Sequence, residues 1–164
     1  MESDRLGRIR TDHLYQPFCE RLNALITACE ARSCIYVATS GLRTYEEQEA
    51  LYERGRTLPG GIVTKARGGQ SPHQFYCAVD FCKHAGSTYT GKLIPDYRNS
   101  QYEVLAQEAE RLGLESGLRW KFKDSPHIQL PVKAHGLRWV DLDSAYRQGG
   151  HDAVIALLDS KGPW

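Results

Sequence analysis

The stretch Gln70-Ser71-Pro72-His73-Gln74-Phe75-Tyr76-Cys77-Ala78-Val79-Asp80-Phe81 governs the reading of the whole chain. A loop rich in glycine (Gly60, Gly61, Gly68, Gly69) leads into it, and Phe75 to Cys82 is short, apolar and bounded by turn residues. That pattern predicts a buried or half-buried strand. Asp80 is the exception within it. A carboxylate in an apolar strand costs free energy unless a positive charge meets it, and a metal ion is one such partner. His73 offers a second ligand, but at about 3.3 Å per residue a straight strand would hold it roughly 20 Å from Asp80. Sharing one ion therefore requires a turn or bulge between the two. Without that turn, the pair reads as a surface histidine and a structural carboxylate.

Downstream, Asp124-Ser125-Pro126-His127-Ile128-Gln129-Leu130 offers another acid and another histidine, again entering a short apolar segment. Three ligands of the His, Asp, His type with an open fourth position are what a catalytic zinc requires.

Ser71-x-His73-x6-Asp80 followed by Asp124-x-x-His127 resembles the zinc peptidases of the D-Ala-D-Ala carboxypeptidase and L-alanyl-D-glutamate endopeptidase family, which includes several small bacteriophage endolysins. Ser40-Gly41-Leu42-Arg43-Thr44 with Gln48-x-x-Leu51-Tyr52, and Val63-Thr64-Lys65-Ala66-Arg67-Gly68-Gly69-Gln70-Ser71, are similar to further blocks of that family. The resemblance covers about residues 40–131, with the blocks in order. One position departs from it: the family usually has glycine three residues after the first histidine, where this chain has Tyr76. Glycine permits positive φ, so the turn between His73 and Asp80 is expected to be shaped differently here.

The resemblance implies an α+β fold, a small and mainly antiparallel sheet with flanking helices, of the kind shared by the hedgehog and DD-peptidase proteins. It implies zinc held by His73, Asp80 and His127, with Asp124 as general base and then general acid. Arg43 would hold substrate or share the charge on the carbonyl oxygen, a role suited to a planar, permanently charged fork. Gln48, Ser71 and Trp120 are placed beside the site, each with an ordinary alternative: exposed glutamine, turn serine, core tryptophan. The expected substrate is bacterial peptidoglycan and the expected bond L-alanyl–D-glutamate, because the lead into His73 and the Asp124-x-Pro-His127 ending look closer to the endopeptidase branch. A D-Ala-D-Ala carboxypeptidase or a bacterial wall peptidase is the alternative within the class. A zinc-stabilised module that binds wall peptides without cutting them is the alternative outside it.

With 164 residues, one zinc peptidase domain over 1–164 is expected, with a helical extension over about 140–160. A net charge of +1 gives no case for nucleic-acid binding. No apolar run approaches the ~18 residues of a membrane span. Met1-Glu2-Ser3-Asp4-Arg5 has no apolar segment behind it, which predicts synthesis in the cytoplasm without a secretory signal and fits an endolysin that later reaches the wall. The five cysteines form an odd set, as expected of reduced thiols. A second zinc site from Cys77, Cys82 and His84 lacks a Cys-x2-Cys pair, and core packing explains these cysteines better. A monomer is expected.

Along the chain, residues 1–13 read as an arm or a loosely packed start. Helical spacing predicts a helix over Pro17–Arg32, and Cys34–Ala38 a strand. Thr44-Tyr45-Glu46-Glu47 fits a capping box opening a helix to about Arg54, and Ser100-Gln101-Tyr102-Glu103 a second one opening a helix that stops at Gly113. Gly55–Gln70 is a long irregular loop, expected as a cleft wall. Gly117–Phe122 and His127–Leu130 are predicted strands, and a last helix is expected over Val140–Leu158. His13, His135 and His151 are expected at the surface.

Overall fold

The computed structural model describes residues 5–164. In chain order the main elements are α1 (Gln16–Ala31), β1 (Tyr36–Ser40), α2 (Tyr45–Glu53), β2 (Ala78–His84), β3 (Pro95–Asp96), α3 (Glu103–Arg111), β4 (Glu115–Ser116), β5 (His127–Gln129) and α4 (Trp139–Asp159). They fall into two compact units, Met1–Gly41 with Cys77–Pro131, and Leu42–Tyr76 with Val132–Trp164.

The first unit holds the whole sheet. Its strand order is β1-β2-β5-β4, with β3 also pairing β2, and every pairing is antiparallel. The α+β architecture is therefore as expected. α1 buries Phe18, Cys19, Leu22, Leu25, Ile26 and Cys29, which recur at three- and four-residue spacing and so share one helical face. α3 buries Leu105, Ala106 and Ala109. Arg32, just past α1, donates to the buried Glu108 carboxylate of α3 at 2.7 Å, which neutralises a charge that burial alone would penalise. The arm expected over residues 1–13 is not loose where it is described. Leu6 is fully buried, and the Arg5 carbonyl accepts the Ala38 N–H at 2.9 Å. Residues 1–4 of that expectation lie outside the described residues.

Two local expectations fail in this unit. Gly117–Phe122 does not form a strand: β4 ends at Ser116, whose hydroxyl accepts the Leu118 N–H at 3.2 Å and caps a 3-10 turn over Gly117–Arg119. Apolar and polar residues alternate there, but the serine offers the backbone a local bond that competes with a ladder. The second capping box is also absent. A 3-10 turn over Asn99–Tyr102 precedes α3, and no side chain caps either element. The stop at Gly113 holds, with a positive φ of 70° just past the helix.

In the second unit the Thr44 capping box is present as read: Thr44 Oγ1 accepts the Glu47 N–H at 3.1 Å, and a Glu47 carboxylate oxygen accepts the Thr44 N–H at 2.8 Å. Residues 55–70 are irregular. They are tied back to α2 by Gln48 Nε2 donating to the Ala66 carbonyl and by the Gly68 N–H donating to Glu49. α4 matches the expected extension in extent, but Gly149 and Gly150 leave helical φ/ψ, so it is two helices joined at a kink. Aromatic contacts join α4 to the segment around Phe75: Phe75 stacks on Trp139 with centroids 6.4 Å apart, and Tyr45 stacks on Tyr146 at 5.1 Å. The Tyr45 hydroxyl donates to Asp143 at 2.6 Å.

Candidate metal centre

Antiparallel register builds the first half of the site. Asp80 of β2 lies directly opposite His127 of β5, and directly opposed residues point to the same face of the sheet. His127 Nδ1 is 3.2 Å from Asp80 Oδ1. A bulge in β1 between Ala38 and Ser40 falls beside Asp80, with Ser40 its partner across the ladder. Bulges re-aim side chains next to functional sites. His127 is 4% exposed, and its second ring nitrogen, Nε2, meets Gln129 Oε1 at 2.8 Å. Burial works against a charged His127. The hydrogen bond and charge of Asp80, with smaller contributions from Gln129 and Asp124, outweigh it and raise the pKa above the ordinary imidazole value.

Asp124 sits three residues before His127, with Oδ2 4.0 Å from His127 Nδ1 and the side chain about half exposed. A tight turn fixes it: the Asp124 N–H donates to the Gly117 carbonyl at 3.0 Å, and the His127 N–H to the Asp124 carbonyl at 3.1 Å. A Cβ on Gly117 would stand 2.3 Å from that Asp124 carbonyl oxygen, so only glycine allows this approach. Trp120 packs its ring beside that of His127, centroids 5.1 Å apart, and anchors its indole N–H on Glu115 at 2.8 Å.

His73, which belongs to the second unit, is 3% exposed. The strand expected from Phe75 does not begin there. Pro72–Phe75 form a 3-10 turn, Tyr76 follows in the left-handed region at φ 65°, ψ 18°, and β2 starts only at Ala78. Thus the turn required between His73 and Asp80 exists. It uses positive φ at the position where glycine was expected, with a tyrosine instead. The Tyr76 ring is buried against His151, centroids 4.4 Å apart. Ser71 is buried and caps the turn, its hydroxyl accepting the His73 N–H at 3.4 Å, while its own N–H donates to Gln74 Oε1 at 3.1 Å.

Arg43 and Gln48 are bound into the same segment. The Arg43 N–H donates to the His73 carbonyl at 3.0 Å, and Arg43 Nη1 to Gln48 Oε1 at 2.8 Å. Gln48 is fully buried, so the exposed-glutamine alternative fails. Gln74 Nε2 reaches the same Gln48 oxygen at 3.4 Å. A cavity of about 470 Å³ in this unit is lined by Arg43, Thr44, Gln74, Tyr76, Tyr146 and Arg147, among others.

Among the described residues, His73, Asp80 and His127 form a group that could hold a metal ion: one ligand atom of each lies within 4.8 Å of the others. Two imidazoles and a carboxylate are the donor set of a catalytic zinc site. Two ligands at about 2.1 Å in a tetrahedral arrangement stand roughly 3.4 Å apart, close to the observed separation of His127 Nδ1 and Asp80 Oδ1. The residues present therefore fit zinc. Cys77 and Cys82 are buried, free thiols, both pushed towards the protonated form by burial. His84 spends its two ring nitrogens on the Thr88 carbonyl and the Ile94 N–H. No second zinc site forms from them.

Two residues here escaped the sequence reading. Gln74 was visible in principle, because Ser71-x-x-Gln74 is a capping-box pattern. Gln129 follows His127 by two residues in a strand, which places both on one face, but nothing in sequence says that the amide reaches the ring.

Fold and ligand cluster together define a metallopeptidase. The family described as D-alanyl-D-alanine carboxypeptidase, within the M15 peptidases, matches residues 64–130. Peptidoglycan L-alanyl-D-glutamate endopeptidase CwlK of Bacillus subtilis (strain 168) is 38% identical over 116 residues, covering 68% of this chain and 70% of CwlK. Among solved structures, the Serratia marcescens L-Ala D-Glu endopeptidase ChiX matches with a TM-score of 0.55 at 19% identity, over 77% of this chain and 87% of ChiX. The vancomycin resistance D,D-pentapeptidase VanY from the VanB-type cassette, as an E175A mutant with Zn(II), matches with a TM-score of 0.52 at 19% identity, over 77% of this chain and 76% of VanY. The chain belongs to the M15 family of zinc metallopeptidases.

Proposed function

We propose that this metallopeptidase cleaves the L-alanyl–D-glutamate bond of peptidoglycan stem peptides, with His73, Asp80 and His127 holding zinc, and that it serves as a phage endolysin in host lysis. The observation that carries the chemistry is the convergence of those three ligand atoms within 4.8 Å. An acid beside them, Asp124 Oδ2 at 4.0 Å from His127 Nδ1, supplies the proton-transfer group. The likeness to CwlK supports the choice of bond.

Zinc, when bound, acidifies a water towards pKa ~7 and polarises the scissile carbonyl. Asp124 takes a proton from the attacking water as its oxygen bonds to the carbonyl carbon. It returns that proton to the departing amine nitrogen as the C–N bond breaks, so acid and base are the same group. Its half-exposed side chain keeps it in reach of water, while His127, Asp80 and His73 are held by sheet and turn. Arg43 donates to the substrate or to the oxygen that gains charge. Gln48 aims the guanidinium by accepting from Nη1, and Ser71 and Gln74 hold the turn that presents His73. Trp120 walls the His127 side of the site.

Digestion of purified peptidoglycan followed by mass spectrometry tests the assignment. The expected products are peptides beginning with D-glutamate and glycan strands that keep L-alanine. Release of D-alanine alone would place the protein on the carboxypeptidase branch, and no cleavage by zinc-loaded protein would favour a binding module. Lysis from outside in a turbidity assay, together with lysis from within when the protein is co-expressed with a membrane-permeabilising partner, is expected of an endolysin. Failure of both removes that role.

A further inference from the structure

We infer that the cavity of about 470 Å³ in the second unit is a sugar subsite, which takes the N-acetylated hexose of the glycan to which the stem peptide's L-alanine is attached. This rests on the reading above, that the bond cut is the one after that L-alanine.

The lining has the chemistry of a carbohydrate site. A hexose offers an apolar C–H face and a rim of hydroxyls, so aromatic rings suit the face and side chains with several donors or acceptors suit the rim. Tyr45, Tyr76 and Tyr146 line the cavity together with Arg43, Gln74 and Arg147. Its volume falls within the range of about 300–1,000 Å³ usual for small-molecule sites. The charges around it are mixed. Glu46 also lines the cavity, and Asp143 accepts from Arg147 Nε at 2.9 Å, so the two arginines do not make it an anion trap. These groups are held before any ligand arrives. Tyr146 stacks on Tyr45, the Tyr45 hydroxyl donates to Asp143 at 2.6 Å, and the Arg147 guanidinium lies 5.6 Å from the centre of the Tyr45 ring. Preorganisation of this kind lowers the ordering cost of binding. Tyr146 is still 36% exposed, which leaves its ring within reach of a ligand.

The cavity adjoins the turn that carries His73. Gln74 follows His73 directly in the chain, and the Arg43 N–H donates to the His73 carbonyl at 3.0 Å. Arg43 therefore belongs both to the cavity wall and to the handling of the scissile carbonyl. Between that carbonyl and the lactyl group that joins peptide to sugar stands one alanine, at most about 3.6 Å of extended chain. A sugar tied so closely stays near Arg43 while the bond is cut. On the other side of the bond the peptide begins with an acid, D-glutamate, which a cavity of balanced charge suits less well. The glycan side of the substrate is thus the occupant that both the lining and the short tether favour.

The first test needs no substitution. Isothermal titration calorimetry on zinc-loaded wild-type protein compares N-acetylmuramyl-L-alanine with N-acetyl-L-alanine, which has the same amide and no sugar. The muramyl compound is expected to bind about tenfold more tightly or better, because contacts to the sugar add binding energy away from the reacting bond. Equal binding of the two, or no binding of the muramyl compound, overturns the proposal. The second test compares kcat/KM on a muramyl tripeptide and on the N-acetyl tripeptide of the same sequence. Wild type is expected to favour the muramyl substrate by about tenfold or more. Tyr146→Ala is expected to lower that ratio by about 3–10-fold, the worth of one aromatic contact, and Tyr146→Phe to restore it. Arg147→Ala, at a side chain 64% exposed and so safe for the fold, is expected to lower the ratio as well. An unchanged ratio in both alanine variants, or an equal fall on both substrates, would leave the sugar outside the cavity and overturns the proposal. If zinc-loaded wild type cuts neither substrate after L-alanine, the reading of the bond has failed, and the calorimetry, which involves no turnover, decides the sugar subsite by itself.

Discussion

Tyr76→Gly restores the residue expected at the left-handed position and should nevertheless destabilise the protein. At φ 65° a tyrosine carries strain that glycine lacks. Relief is worth about 1–2 kcal/mol, the cost of the left-handed region for an L side chain. Against it stands the ring, 5% exposed. Truncating a buried aromatic costs about 3–5 kcal/mol. The edge contact with His151, centroids 4.4 Å apart, is lost with it. The balance is a loss of roughly 1–4 kcal/mol, which for a chain of this size lowers the melting temperature by roughly 2–16 °C. Thermal unfolding followed by circular dichroism at one fixed free zinc concentration measures it, so that linkage to the metal is equal in both proteins. A Tyr76→Gly protein that melts at or above wild type would show that strain outweighs packing at this turn, and the argument would fail.

Asp124→Asn should keep its zinc and its fold while turnover falls by about 10²–10⁴-fold, the usual worth of general acid–base catalysis; loss of zinc would make Asp124 a ligand instead. Gly117→Ala places a Cβ 2.3 Å from the Asp124 carbonyl oxygen, so the turn must move. Steady-state kinetics should show kcat reduced by about tenfold or more, of the order seen for small misplacements of catalytic groups; wild-type kcat would mean that Asp124 tolerates displacement. Arg43→Lys keeps the charge but loses the planar fork that Gln48 aims, so it should fold normally and turn over slowly; an unchanged kcat/KM would remove Arg43 from the mechanism.

The sequence by itself singled out the residues of the candidate site. His73, Asp80, Asp124 and His127 stand out because charged and ligating groups are costly beside apolar segments, and their spacing matches a zinc peptidase pattern. The strong local signals were also legible: the Thr44 capping box, the apolar stripe of α1 and the stop at Gly113 depend on neighbours within one or two turns. Local pattern misled where two short-range arrangements compete. Phe75–Cys77 has the apolar, β-favouring character of a strand, yet Phe75 closes the Ser71-capped 3-10 turn and Tyr76 leaves it in the left-handed region. Gly117–Phe122 alternates, yet the Ser116 hydroxyl diverts it. Only tertiary structure decided which side chains meet. That Asp80 faces His127 follows from the register of β2 against β5, across 47 residues of chain. That Gln48 is buried under Arg43, and that Gln129 reaches Nε2 of His127, follow from packing and side-chain reach. A hydrogen bond between two side chains leaves no periodicity in either residue, which is why one chain alone does not reveal it.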